Sequence, residues 1–129
     1  MDFQNQFTKT TTDANLMETV HHGSAEYPFR YYYENIALFD FKCIDWHWHS
    51  ELEFIYIESG NVVFDIGTVH FELNEGNGIM INSKILHRLQ SSSDAIIPNF
   101  LFQPSFIAPQ DSLIYKKYIN PVISSSLEY

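Results

Sequence analysis

Apolar positions in the middle of this chain come in short runs that alternate with polar ones and are cut by turn residues at roughly 8–12-residue intervals. Residues 46–60, WHWHSELEFIYIESG, are rich in aromatic and β-branched side chains and end in a Ser-Gly turn. The next segment, NVVFDIGTVHFEL, predicts a hairpin with Val62, Val63, Phe64 and Ile66 on one arm and Val69, Phe71 and Leu73 on the other. Gly67 sits at its turn. Gly78 to Ile81 predicts a strand too brief for a helix, His87 to Gln90 a further strand, and Ser91 to Asp94 a loop. Such a series predicts an antiparallel sandwich or barrel and not βαβ units.

The flanks read differently. Residues 1–20 are polar, rich in Thr, Asn and Gln, and predict a flexible arm. Residues 21–45 predict short extended pieces, with Pro28 holding Tyr27 extended. Pro98 to Asp111, with prolines at 98, 104 and 109, predicts an irregular stretch. DSLIYKKYI predicts a short helix capped by Asp111 or Ser112, with Leu113, Ile114, Tyr115 and Tyr118 as its apolar side. The expected division is an arm at 1–20, a barrel at 21–110 and a helical segment at 111–129.

A length of 129 residues fits one domain, and 11 Phe, 8 Tyr and 2 Trp supply much of its core. Cys43 is the only cysteine, so no internal disulfide forms; it reads as a small buried hydrophobe. No signal peptide or membrane-length apolar run is present, which predicts a cytoplasmic protein with no membrane partner. The net charge of −9, with seven scattered Lys and Arg, argues against nucleic-acid binding by this chain itself.

The candidate chemistry lies in His47, His49, Glu53 and His87. The first three share parity, so a strand puts them on one face, and a turn near Ser50 and Glu51 keeps them together. In a closed barrel His87 returns beside them. Three imidazoles and a carboxylate suit a divalent transition metal such as Zn, Ni, Fe or Mn; the same set also suits a polar ligand pocket without metal. Arg30, Trp46, Trp48 and Ile55 are further candidates for the ligand pocket: Arg30 for an anionic or hydroxylated group, the tryptophans for stacking or for packing at the rim. Glu51 reads as an exposed turn residue. His21, His22 and His70 read as surface or structural, and Arg88 as pointing away from the pocket. No nucleophile elbow or phosphate-binding loop is present.

At these residues the chain resembles the cupins. HWHSELEFIYIESG has the form H-x-H-x3-E-x6-G of their first motif, and GIMINSKILH places His87 where their fourth ligand falls. Asn82, Ser83 and Lys84 replace the proline and glycine frequent before that histidine, and Ser91 replaces a common asparagine. More narrowly, roughly residues 20–123 resemble the N-terminal effector-binding domain of AraC-type transcription regulators, through HHGSAEYPFRYYYENI, the first cupin motif, and FQPSFIAPQDSLIYKKYINPVI. The resemblance implies a double-stranded β-helix (jelly-roll) barrel that binds a small metabolite, often a sugar, helps its parent protein form a homodimer, and acts without catalysis. It implies a separate DNA-binding domain after the helical segment, absent from this chain, so that the sequence reads as an excised sensor. The alternatives are a metal-dependent cupin enzyme of the dioxygenase or isomerase class and a standalone binding cupin.

Overall fold

The structure is a computed structural model that describes residues 9–129; residues 1–8 of the expected arm lie outside the described residues. Eight strands form in chain order: β1 (Phe29–Asn35), β2 (Cys43–His47), β3 (Leu52–Tyr56), β4 (Asn61–Ile66), β5 (Val69–Asn74), β6 (Gly78–Ile81), β7 (His87–Gln90) and β8 (Ile96–Phe102). They build two antiparallel four-stranded sheets, ordered β1-β8-β3-β6 and β2-β7-β4-β5. This is the cupin-type jelly roll. The β4–β5 hairpin pairs Asn61 through Ile66 with Asn74 through Val69, as the alternation predicts. Gly67, with φ +56, supplies the left-handed backbone of its turn.

Alternation sets which side chains face inward. On β3, Glu53 and Ile55 are buried while Phe54 and Tyr56 are exposed. On β7, His87 and Leu89 are buried; on β8, Ile97, Asn99 and Leu101. The interior therefore divides. One part is apolar, built from Ile36, Ile55, Ile57, Val62, Phe64, Ile66, Ile81, Leu89, Ala95 and Ile97. Each of the larger of these side chains contributes about 1.5–3 kcal/mol by leaving water. The other part is polar, with His47, His49, Glu51, Glu53, His87 and Asn99 all buried.

Two expectations are corrected here. Residues 98–102 are not irregular: they complete β8, a seven-residue strand paired along its whole length with β1, whereas 103–111 are irregular apart from a short 3-10 turn (Pro104–Phe106). Pro98 is tolerated because β3 pairs only with Asn99 to Phe102, so at Pro98 the strand has one neighbour and its missing N–H breaks no second ladder. Ile55 is a core residue, 2% exposed, one inward step beyond Glu53.

The C-terminal helical segment forms as expected. Ser112 Oγ accepts the Tyr115 N–H at 3.2 Å, and a π-helical turn (Tyr115–Ile119) runs into α1 (Asn120–Ile123). Tyr115 is buried, whereas Leu113, Ile114 and Tyr118 are exposed. Asn82 fastens the tail to the barrel by donating to the carbonyls of Val122 and Leu127 at 2.9 and 2.7 Å.

Candidate functional site: a buried histidine and carboxylate cluster beside a cavity

The H-x-H-x3-E segment spans both sheets. β2 ends at His47, residues 48–51 cross over, and β3 begins at Leu52. Register in the β2–β7 pair slips between Ile44 and His47, so an extra residue bulges out of β2 and sets His47 directly opposite His87. The turn that delivers His87 keeps its shape without proline or glycine. Lys84 adopts φ +63 and donates its N–H to the His49 carbonyl at 2.8 Å, while Ser83 Oγ donates to the Ser50 carbonyl at 2.6 Å. The atypical turn residues are thus tied to the crossover that carries the other ligands.

One ligand atom from each of His47, His49, Glu53 and His87 lies within 4.8 Å of the others, and all four residues are buried. The ring orientation is fixed from behind. Nδ1 of His47, His49 and His87 lies 2.8, 3.1 and 2.8 Å from the carbonyls of Asp45, Glu51 and Ile85. A carbonyl only accepts, so each Nδ1 carries its proton and donates it. Each Nε2 then turns inward, the orientation of a metal-ligating histidine; without an ion, Nε2 of His49 carries a proton as well and donates it to Glu53. Glu53 Oε1 lies 3.2 Å from Nε2 of both His49 and His87. This donor set fits a divalent transition metal.

Without an ion, His49 itself supplies the positive charge beside Glu53. Burial would raise the Glu53 pKa, but hydrogen bonds from His49 and His87 hold it well below the usual carboxylate range. Burial would lower the His49 pKa, but its bond to the Glu53 carboxylate wins and raises it to about 9. His47 is held well below its ordinary value by burial, then by its neighbours His87 and His49.

Beside the cluster lies a cavity of about 60 Å³, lined in part by His47 and Glu53, by Tyr32, Glu34, Asn99 and Leu101 of β1 and β8, and by Lys9, Thr10, Thr11, Glu18, Val20 and His22 from the segment before β1. Within the expected arm, residues 9–20 are placed against the barrel. Thr12 bridges Glu18, and Met17 bridges Trp48. Trp48 grips this turn with its backbone N–H on the Leu16 carbonyl (3.0 Å), its carbonyl under the Glu18 N–H (2.9 Å), and its indole N–H on the Asn15 carbonyl (2.9 Å). Asp13 Oδ1 accepts the N–H groups of Asn15 and Met17.

The other tentative pocket residues are not on the cavity wall. Arg30 is exposed, with its guanidinium 5.4 Å from the Tyr32 ring centroid. Trp46 lies beneath Arg88, which pairs with Asp65 on the outer surface. Trp48 clasps the arm, and Ile55 is in the core. Conversely, Glu51 is buried and not exposed: Ser50 Oγ and Gln103 Nε2 donate to it. His22 is a wall residue that sequence spacing missed. Its Nε2 meets Glu18 and its Nδ1 lies 2.6 Å from the Tyr32 hydroxyl. Glu34 was also missed; its inward position follows from β1 pairing with β8 in full register, a non-local fact.

Residues 38–108 match the family described as AraC-like ligand binding domain, a span that contains the whole cluster. The chain is 32% identical over 120 residues to an uncharacterized HTH-type transcriptional regulator, YdeC, of Bacillus subtilis (strain 168), which covers 91% of this chain but only 40% of that protein. Among solved structures it resembles a cupin superfamily protein from Desulfitobacterium hafniense (TM-score 0.53, 10% identity, 59% of this chain and 68% of that one). It also resembles a Cupin 2 conserved barrel domain protein from Salinispora arenicola (TM-score 0.53, 15% identity, 76% and 84%). Among the described residues, no helix is long and apolar enough to cross a membrane. With a cupin barrel, its ligand set intact, and a match that spans more than half of its length, this chain belongs to the AraC-like ligand-binding domain family.

Proposed function

We propose that this chain is the effector-sensing part of a longer cytoplasmic transcription regulator. A small molecule binds in the barrel cavity, and the parent protein, a homodimer, contacts DNA through a domain outside this chain. The observation that carries this reading is the cavity itself, walled on one side by the barrel and on the other by residues 9–22. A molecule bound there touches both, so its binding energy depends on how the segment sits. Such differential contact is what a ligand needs to shift a conformational equilibrium. The charge of −9 is consistent with DNA contact lying elsewhere.

His47, His49, Glu53 and His87 would hold a divalent ion such as Zn, Ni, Fe or Mn. When bound, the ion supplies a positive charge and a coordination position for a ligand hydroxyl or carbonyl. Calorimetry of a metabolite panel against the chain, paired with DNA affinity of the intact regulator, tests the sensor reading. A metabolite that binds both and changes DNA affinity is expected; absence of any such metabolite sinks it. The complete ligand set also favours a second reading, a metal-dependent enzyme. Oxygen uptake or isomerase turnover by ion-loaded protein would support that reading, and an inert ion-loaded protein would remove it.

A further inference from the structure

The far wall of the cavity carries groups that the cluster does not use. Glu34 and Tyr32 reach it from β1 and Asn99 from β8, while Thr10 lines the cavity from the docked segment. Asn99 is 3% exposed and donates its amide protons to Glu34 Oε1 (2.8 Å) and to the Ile97 carbonyl (2.9 Å). Its carbonyl oxygen is left as an acceptor. Thr10 Oγ1 is buried with no hydrogen-bond partner among the described residues. A buried hydroxyl without a partner forfeits about 1–3 kcal/mol, and this one is closed off from the cavity as well as from solvent. Glu34 is held against burial, and its pKa rises to about 7 for that reason.

Acceptors dominate this wall. The charged groups that line the cavity are Glu18, Glu34, Glu53 and Lys9, with His22 and His47 between them. Lys9 is exposed and Glu18 is already engaged with His22. Among the described residues, the wall made by β1 and β8 therefore offers carboxylate, amide and hydroxyl oxygens and no fixed cation.

We propose that the effector carries a cationic amine that sits against Glu34 and Asn99, with a hydroxyl directed to the His47 and Glu53 end of the same cavity. The proposal rests on the sensor reading and narrows it. A carboxylate or phosphate placed there would face Glu34 with no cation beside it among the described residues.

The test is calorimetric titration of the 129-residue chain with three probes of matched length: 3-aminopropan-1-ol, propane-1,3-diol and 3-hydroxypropanoate, with arabinose alongside. Binding of the amino alcohol at least about tenfold tighter than the diol is expected, with no binding of the carboxylate, because charge-assisted hydrogen bonds are about twice as strong as neutral ones. Glu34→Gln should erase that preference while leaving diol binding within about twofold. If the carboxylate or arabinose binds and the amine does not, the charge class is wrong while the sensor reading stands. If none of the probes binds, the amine proposal falls, and the metabolite panel then decides the sensor reading separately. If Glu34→Gln binds the amine as tightly as wild type, the assigned position is wrong.

Discussion

Replacing Glu34 by Gln should stabilise the protein at neutral and alkaline pH, an unusual outcome for a change at a half-buried, hydrogen-bonded residue. Gln keeps an oxygen as the acceptor for Asn99 Nδ2 at 2.8 Å and replaces the ionisable oxygen with a neutral amide NH2. Burial raises the Glu34 pKa from 4.5 to about 7, against the opposing effect of the Asn99 bond and with help from the charge of Glu53. The sign follows from linkage. Because the folded value lies above the unfolded one, the stability associated with the protonated carboxyl is fully present below about pH 4.5 and is lost as pH rises through about 7. At about 1.4 kcal/mol for each pH decade, the loss reaches about 3 kcal/mol above pH 7. Gln does not ionise and escapes it. Urea unfolding of both proteins at several pH values from about 4 to 8 gives the difference directly. The two should be nearly equal at the acid end, with Glu34→Gln gaining up to about 3 kcal/mol at the alkaline end, or about 10 °C in melting temperature. A difference that stays flat, or one in which wild type gains as pH rises, refutes the reasoning. A carboxylate kept at such a cost to stability is what a ligand site predicts.

Three further outcomes follow from the same geometry. Glu53→Gln removes the only carboxylate of the cluster and should weaken divalent-metal binding by about 100-fold or more, measured by competition with a coloured chelator; unchanged affinity would exclude Glu53 as a ligand. Trp48→Phe keeps the backbone bridge but loses the indole bond to Asn15, so hydrogen exchange in residues 9–20 should quicken while global stability falls by about 1 kcal/mol; equal exchange rates would show that the indole does not hold the segment. Gly60 has φ +84, and a Cβ there would stand 2.5 Å from the Asp94 carbonyl oxygen, so Gly60→Ala should destabilise by about 2 kcal/mol or more in denaturant unfolding; a neutral result would mean that the turn opens freely.

Local pattern carried much of the fold. The β4–β5 hairpin, β6 and β7 were readable because period-two alternation and turn residues are short-range signals, and the motif spacing named the four cluster residues. The sequence pattern did not show that the motif straddles two sheets, because the bulge that aims His47 depends on pairing with β7. Pro98 hid β8, since edge-like tolerance of a proline depends on where β3 stops pairing. The cavity wall was the least legible part. Glu34, His22, Glu18 and Thr10 meet only after β1 pairs with β8 and residues 9–22 fold back over the opening. Their polar character reads as solvent exposure along the chain. For the same reason Trp48, whose parity suggested a rim position or stacking on a ligand, proved to be the clasp for that segment.

The convergence of His47, His49, Glu53 and His87 on one point bears most of the account. It is tested most directly by crystals of protein stripped with chelator and reloaded with one equivalent of Zn²⁺ or Ni²⁺, with anomalous scattering recorded at the metal edge. The account predicts a single strong peak about 2.0–2.2 Å from Nε2 of all three histidines and from a Glu53 oxygen. A peak bound by other residues, or no peak while Glu53 still bridges His49 and His87, would contradict it.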